Sequence, residues 1–132
     1  MDDFELIGIS TEIPPAAFRW DLLNEHDHLE YSRDVARFVE WLVTRYRLQR
    51  QIPPCWWQHG AYIEELSALF VAWRGVMEIP DRPSSWIIWH EELARLLSRV
   101  RDHWNTGCTP DHHTESPSIE RIDPSGDWAG VK

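Results

Sequence analysis

Three stretches of the chain carry apolar side chains at helical spacing. In the first, Val35, Phe38, Val39, Leu42 and Tyr46 recur three, four and seven positions apart, which is the stripe of an amphipathic helix. Trp41 flanks the stripe, and Arg33, Arg37, Glu40, Arg45 and Arg47 fall elsewhere on the wheel. The pattern predicts a helix from about Leu29 to Arg50. Pro53-Pro54 stops it and launches the next. The second stretch, residues 53–77, holds Tyr62, Leu66, Leu69, Phe70, Trp73 and Val76 at core spacing. Gly60 inside it lowers helix propensity by about 1 kcal/mol relative to alanine. The third runs from about Ser84 to His103 or Trp104, with Trp86, Trp89, Leu93, Leu96, Leu97 and Val100 as its apolar stripe. Ser84 or Ser85 can cap it, and Asn105-Thr106-Gly107 can end it through a left-handed glycine. A short link, residues 78–85, carries Pro80 and Pro83 and suits antiparallel neighbours. No strand is long enough to build a sheet. The expected fold is all-α, a compact antiparallel three-helix domain.

Outside this core the periodicity is lost. Residues 1–29 read as an acidic arm, residues 30–109 as the tryptophan-rich domain and residues 110–132 as an acidic tail. In the arm, Pro14-Pro15 breaks any regular structure, and 16–23 is the part expected to dock on the globule. The net charge of −9 is concentrated at the ends. Residues 1–30 hold eight acids and one arginine, a net of −7, while residues 31–108 come to +1 and residues 109–132 to −3. Acidic arms repel phosphate backbones, so nucleic acid is a poor first partner. The acidic start lacks the basic and apolar regions of a signal peptide. No apolar run approaches the roughly 18–20 residues of a membrane span. The expected location is the cytoplasm, where two cysteines are more often free or metal-bound than bridged.

One constellation could carry chemistry. Cys55-x3-His59 opens the second helix and is echoed by Cys108-x3-His112 beyond the third. An antiparallel arrangement brings these two places to one end of the bundle. Two thiolates and two imidazoles suit a closed tetrahedral zinc site. A helix N-terminus at Cys55 would favour its thiolate. His103 and His113 are spare ligands. The alternatives are a disulfide, or cysteines that serve as small buried apolar groups beside surface histidines. Other near-motifs are weaker. His90-Glu91-Glu92 lacks the second histidine of a zincin helix, since position 94 is Ala94. His26-Asp27-His28 and Asp111-His112-His113 read as incidental clusters. No nucleophile elbow or paired acids are present, and Arg99 with His103 makes only a faint nuclease-like pair, so the protein is not expected to be an enzyme.

Nine tryptophans remain to be placed. Trp41, Trp73, Trp86 and Trp89 lie on or beside core stripes. Trp56 and Trp57 are consecutive and cannot face the same way. With Trp104 near the same end, they are the candidate partner-binding residues, because exposed tryptophan beside arginine suits an interaction hot spot. The run Phe38-Val39-Glu40-Trp41-Leu42-Val43, then Cys55-Trp56-Trp57-Gln58-His59, then 66–73 and 86–97, resembles a small actinobacterial family known as domain of unknown function number 4913. The similarity covers about residues 33–113. It implies an accessory role on plasmids, integrative elements or phages, and it brings no catalytic residue. The leading expectation is therefore a protein-interaction module of a mobile element, with zinc as a candidate staple. Two alternatives are an acidic DNA mimic and a nucleic-acid binder using Arg45, Arg47, Arg50, Arg95, Arg99 and Arg101.

Overall fold

The computed structural model describes residues 23–78 and 83–115. Residues 1–22 of the expected arm, with most of its docking segment, the centre of the 78–85 link and residues 116–132 of the tail lie outside the described residues, whereas 25–29, expected in the arm, belong to the first helix. Three helices make the domain: α1 (Glu25–Tyr46), α2 (Gly60–Glu78) and α3 (Ser85–Asp102). The all-α class is as expected. Among the described residues the only bridge of strand type is the isolated pair Thr109 and His112.

Helix α1 starts and stops about four residues before its predicted bounds, for local reasons. Asn24 is its cap, accepting the Asp27 backbone N–H at 2.8 Å through its side chain, and this fixes the start. Arg47 then takes a left-handed conformation with φ 56°, and its N–H closes back on the Val43 carbonyl, which fixes the end. The chain leaving α1 is not a spacer. Leu48 and Ile52 are buried with the core, and the Tyr62 hydroxyl donates to the Gln51 carbonyl at 3.1 Å. Burial pushes the Tyr62 hydroxyl up to about 12.

The second helix begins later than predicted. Residues 56–58 form a 3-10 turn, closed by N–H bonds from Trp56, Gln58 and His59 to the carbonyls of Pro53, Cys55 and Trp56. Gly60 is thereby the first residue of α2 and not an interior interruption. Helices α2 and α3 are antiparallel. The Trp89 indole, early in α3, reaches the Leu69 carbonyl, and Arg99, late in α3, meets Glu65, early in α2. Helix α1 packs through Tyr31 and Phe38 on Phe70, and through Phe38 and Trp41 on Trp73. The predicted stripes supply nearly all of this core. Trp86 is the exception, over a third exposed and touching Trp89 edge-on. Leu23, the last residue of the expected docking segment, is half-buried against the core.

Glu65 ties the two antiparallel helices on the outside. Arg99 donates to it twice, at 2.6 and 3.2 Å, and the Trp104 indole donates at 3.3 Å. The pair is partly wet, so its contribution is well below that of a buried pair. Glu65→Ala should lower stability by about 1 kcal/mol. A urea midpoint unchanged from wild type would refute this. No described helix is long and apolar enough to cross a membrane.

Candidate metal centre

The 3-10 turn and the segment after α3 meet at one end of the domain. Cys55 precedes the turn and His59 follows it, both buried. Beyond α3, Gly107 takes a left-handed φ of 77°, and the Gly107 and Cys108 N–H groups donate to the Asn105 and Thr106 side-chain oxygens, which shapes the bend. This bend brings Cys108 back over His59. Ligand atoms of Cys55, His59, Cys108 and His113 all lie within 4.8 Å of one another, close enough to hold a metal ion.

The fourth position is a correction. The sequence spacing pointed to His112, but His112 is exposed and stands outside the group. Thr109 and His112 exchange both backbone hydrogen bonds, at 2.9 and 3.2 Å, so 109–112 is a closed turn. The chain leaves that turn one residue later, and His113 is the residue that faces Cys108. Pro110 inside the segment was the available sign that these residues form a turn and not a helical continuation. His103, the other spare ligand, is exposed beside Trp104 and takes no part.

Three sulfur–nitrogen distances are of the size a tetrahedral metal site has. Metal–sulfur and metal–nitrogen bonds of about 2.3 and 2.1 Å imply sulfur–nitrogen edges of about 3.6 Å. The structure has His59 Nε2 at 3.6 Å from Cys55 Sγ and 3.4 Å from Cys108 Sγ, and His113 Nδ1 at 3.7 Å from Cys108 Sγ. His113 turns its other nitrogen to Glu115 at 3.0 Å. A carboxylate in that place orients a ligating imidazole and raises its basicity. The Thr114 N–H also donates to Cys108 Sγ at 3.2 Å.

The two thiols differ. Cys108 is pulled down to about 6 by the Thr106 hydroxyl first, then by bonds from Thr114, Cys55 and His113 and against some desolvation. Cys55 is pushed up, chiefly by burial and then by Cys108. The expectation that a helix N-terminus would favour the Cys55 thiolate therefore fails, because α2 starts five residues later. His113 is raised: burial draws it down, and the stronger combined pull of Cys108 and Glu115 lifts it. Both cysteines are free, so the disulfide alternative is not realised. In metal-free protein, iodoacetamide should modify Cys108 well before Cys55, since Cys108 is both more open and more ionised at neutral pH. Mass spectrometry after partial labelling reads the order, and equal rates would contradict it.

Of the candidate partner-binding residues, Trp57 and Trp104 are exposed, at 61% and 43%, while Trp56 is half-buried against the core. His90 is bonded to the Tyr46 hydroxyl at 3.1 Å.

No family model, curated protein or solved structure matches this chain.

Proposed function

We propose that the protein is a non-enzymatic, zinc-stapled interaction module that docks on another protein in the cytoplasm. The observation that carries the staple is the convergence of Cys55, His59, Cys108 and His113 within 4.8 Å. Two thiolates, two imidazoles and a carboxylate behind His113 form a closed set with no open position for substrate, which fits a structural ion and not a catalytic one. A small domain gains most from such a staple. The exposed indoles of Trp57 and Trp104 at the same end support the docking role. The mobile-element setting belongs to this proposal through the resemblance to the actinobacterial family, and the neighbouring genes test it.

The nucleic-acid reading is weaker. Arg95, Arg99 and Arg101 each lie within ion-pair distance of a carboxylate, on Glu92, Glu65 and Asp102. That reduces the charge they offer to phosphate. The DNA-mimic reading rests on the acidic ends, most of whose residues lie outside the described ones.

Elemental analysis of untagged protein tests the staple. The expected result is one zinc per chain, and less than about a tenth of an equivalent ends the reading.

A further inference from the structure

Trp56 and Trp57 differ from the other described tryptophans. Trp41, Trp73, Trp86, Trp89 and Trp104 each have an aromatic ring beside them. Trp89 and Trp104 also donate their indole N–H. Among the described residues, Trp56 and Trp57 have neither a ring neighbour nor an indole acceptor. Although consecutive residues were expected to face apart, the 3-10 turn sets both against a single groove of about 660 Å³ between α1 and the start of α2. Ile63 adds to its apolar lining, and Gly60 leaves part of it open, since a Cβ there would meet nothing within 4 Å. Glu40 from α1 and Glu64 from α2 supply two exposed carboxylates. Neither has an ion-pair partner, and no arginine or lysine lines the groove, among the described residues.

We propose that this groove receives a basic, apolar segment of another protein, with an arginine or lysine side chain laid on the Trp56–Trp57 shelf between Glu40 and Glu64. This deepens the interaction-module reading, on which it rests, by naming the surface and the chemistry of its partner. Indole faces attract a cation, most strongly that of arginine or lysine when it is partly desolvated. Glu40 and Glu64, without an ion-pair partner among the described residues, add to the same preference, and the indole N–H groups can donate to the partner's carbonyls. Charge complementarity argues against the N-terminal arm and a second copy as occupants. Residues 1–30 carry a net of −7, from eight acids and one arginine, and a second copy brings a net of −9. Both meet like charge at Glu40 and Glu64.

The test uses the full chain, nitrogen-15 labelled, and two probes. One is a short capped peptide of leucines and arginines at helical spacing. The other is the same peptide with citrulline for arginine, equal in shape and uncharged. The arginine peptide should shift the Trp56 and Trp57 indole N–H signals saturably, and the citrulline peptide should bind roughly tenfold more weakly. Trp57→Ala removes the exposed half of the shelf, and Gly60→Leu puts a side chain into the open space, where its Cβ would meet nothing within 4 Å. Each should weaken the arginine peptide by at least roughly tenfold while leaving the melting temperature near wild type. The double change Glu40→Gln and Glu64→Gln should weaken the arginine peptide alone. Equal affinity for the two peptides, no saturable shift, or binding indifferent to Gly60→Leu overturns the proposal. So do Trp57 signals that move with protein concentration, which would mean a second copy in the groove. Zinc is measured on the same samples. Binding by zinc-free protein would remove the staple and leave the groove, whereas zinc-loaded protein that ignores the arginine peptide would do the reverse.

Discussion

Cys55→Ser should abolish zinc binding and lower the melting temperature by about 10 °C or more. Cys55 is one of the two cysteines in the group close enough to hold an ion, and it is buried. Without it the ion keeps one thiolate and two imidazoles, and zinc affinity in such a site falls steeply. His59, only 3% exposed, is then left with its ring nitrogen facing a hydroxyl and a lone thiol. Binding free energy at a structural zinc is folding free energy, so a loss of about 3 kcal/mol is a modest expectation. For a domain of this size each kcal/mol moves the midpoint by roughly 4 °C. A strong chelator should lower the wild type similarly and leave the serine variant where it was. Calorimetry with and without chelator is the measurement. A wild type indifferent to the chelator would sink the metal centre, whatever the serine variant does.

Phe38→Ala should lower stability by about 3–5 kcal/mol. Phe38 is fully buried, and its ring centre lies 5.2–6.0 Å from those of Phe70, Trp73 and Trp41. Truncation removes most of an aromatic side chain from the place where α1 meets α2. It leaves a cavity that three large neighbours cannot fill without leaving their own rotamers. It also forfeits ring–ring terms of about 0.5–1.5 kcal/mol each. Native domains have only about 5–15 kcal/mol in hand. The variant should therefore show a much lower urea midpoint and a weakened near-ultraviolet tryptophan signal. A loss below about 1 kcal/mol would show that α1 is held elsewhere.

The helices were legible because their apolar residues repeat. Phe38, Leu66, Trp73, Leu93 and Leu96 lie where the stripes put them, and each is buried. The departures occur where no period operates. Leu48 and Ile52 are core residues in a connection; Leu48 fell inside the expected helix but off its stripe, and no repeat marked Ile52 as buried. Asn24 stands three positions before Asp27, a spacing a cap can use, but no sustained apolar period in residues 1–29 marked a helix start there. The diproline signalled a helix start, and the chain used it for a 3-10 turn instead. Three of the four residues of the candidate centre came from sequence. The fourth was one position off, since a two-way backbone bond between Thr109 and His112 is a property of the folded turn, not of the spacing.

The 3-10 turn has a mechanical meaning. Cys55 and His59 bracket it, so an ion that grips both fastens the two ends of a loop whose middle is the Trp56–Trp57 pair. Whatever sets the bracket also sets the aim of the indoles. If the proposed ion and the proposed partner both bind, metal occupancy and grip on the visitor become linked quantities, and by reciprocity the visitor should tighten the hold on the ion by the same factor.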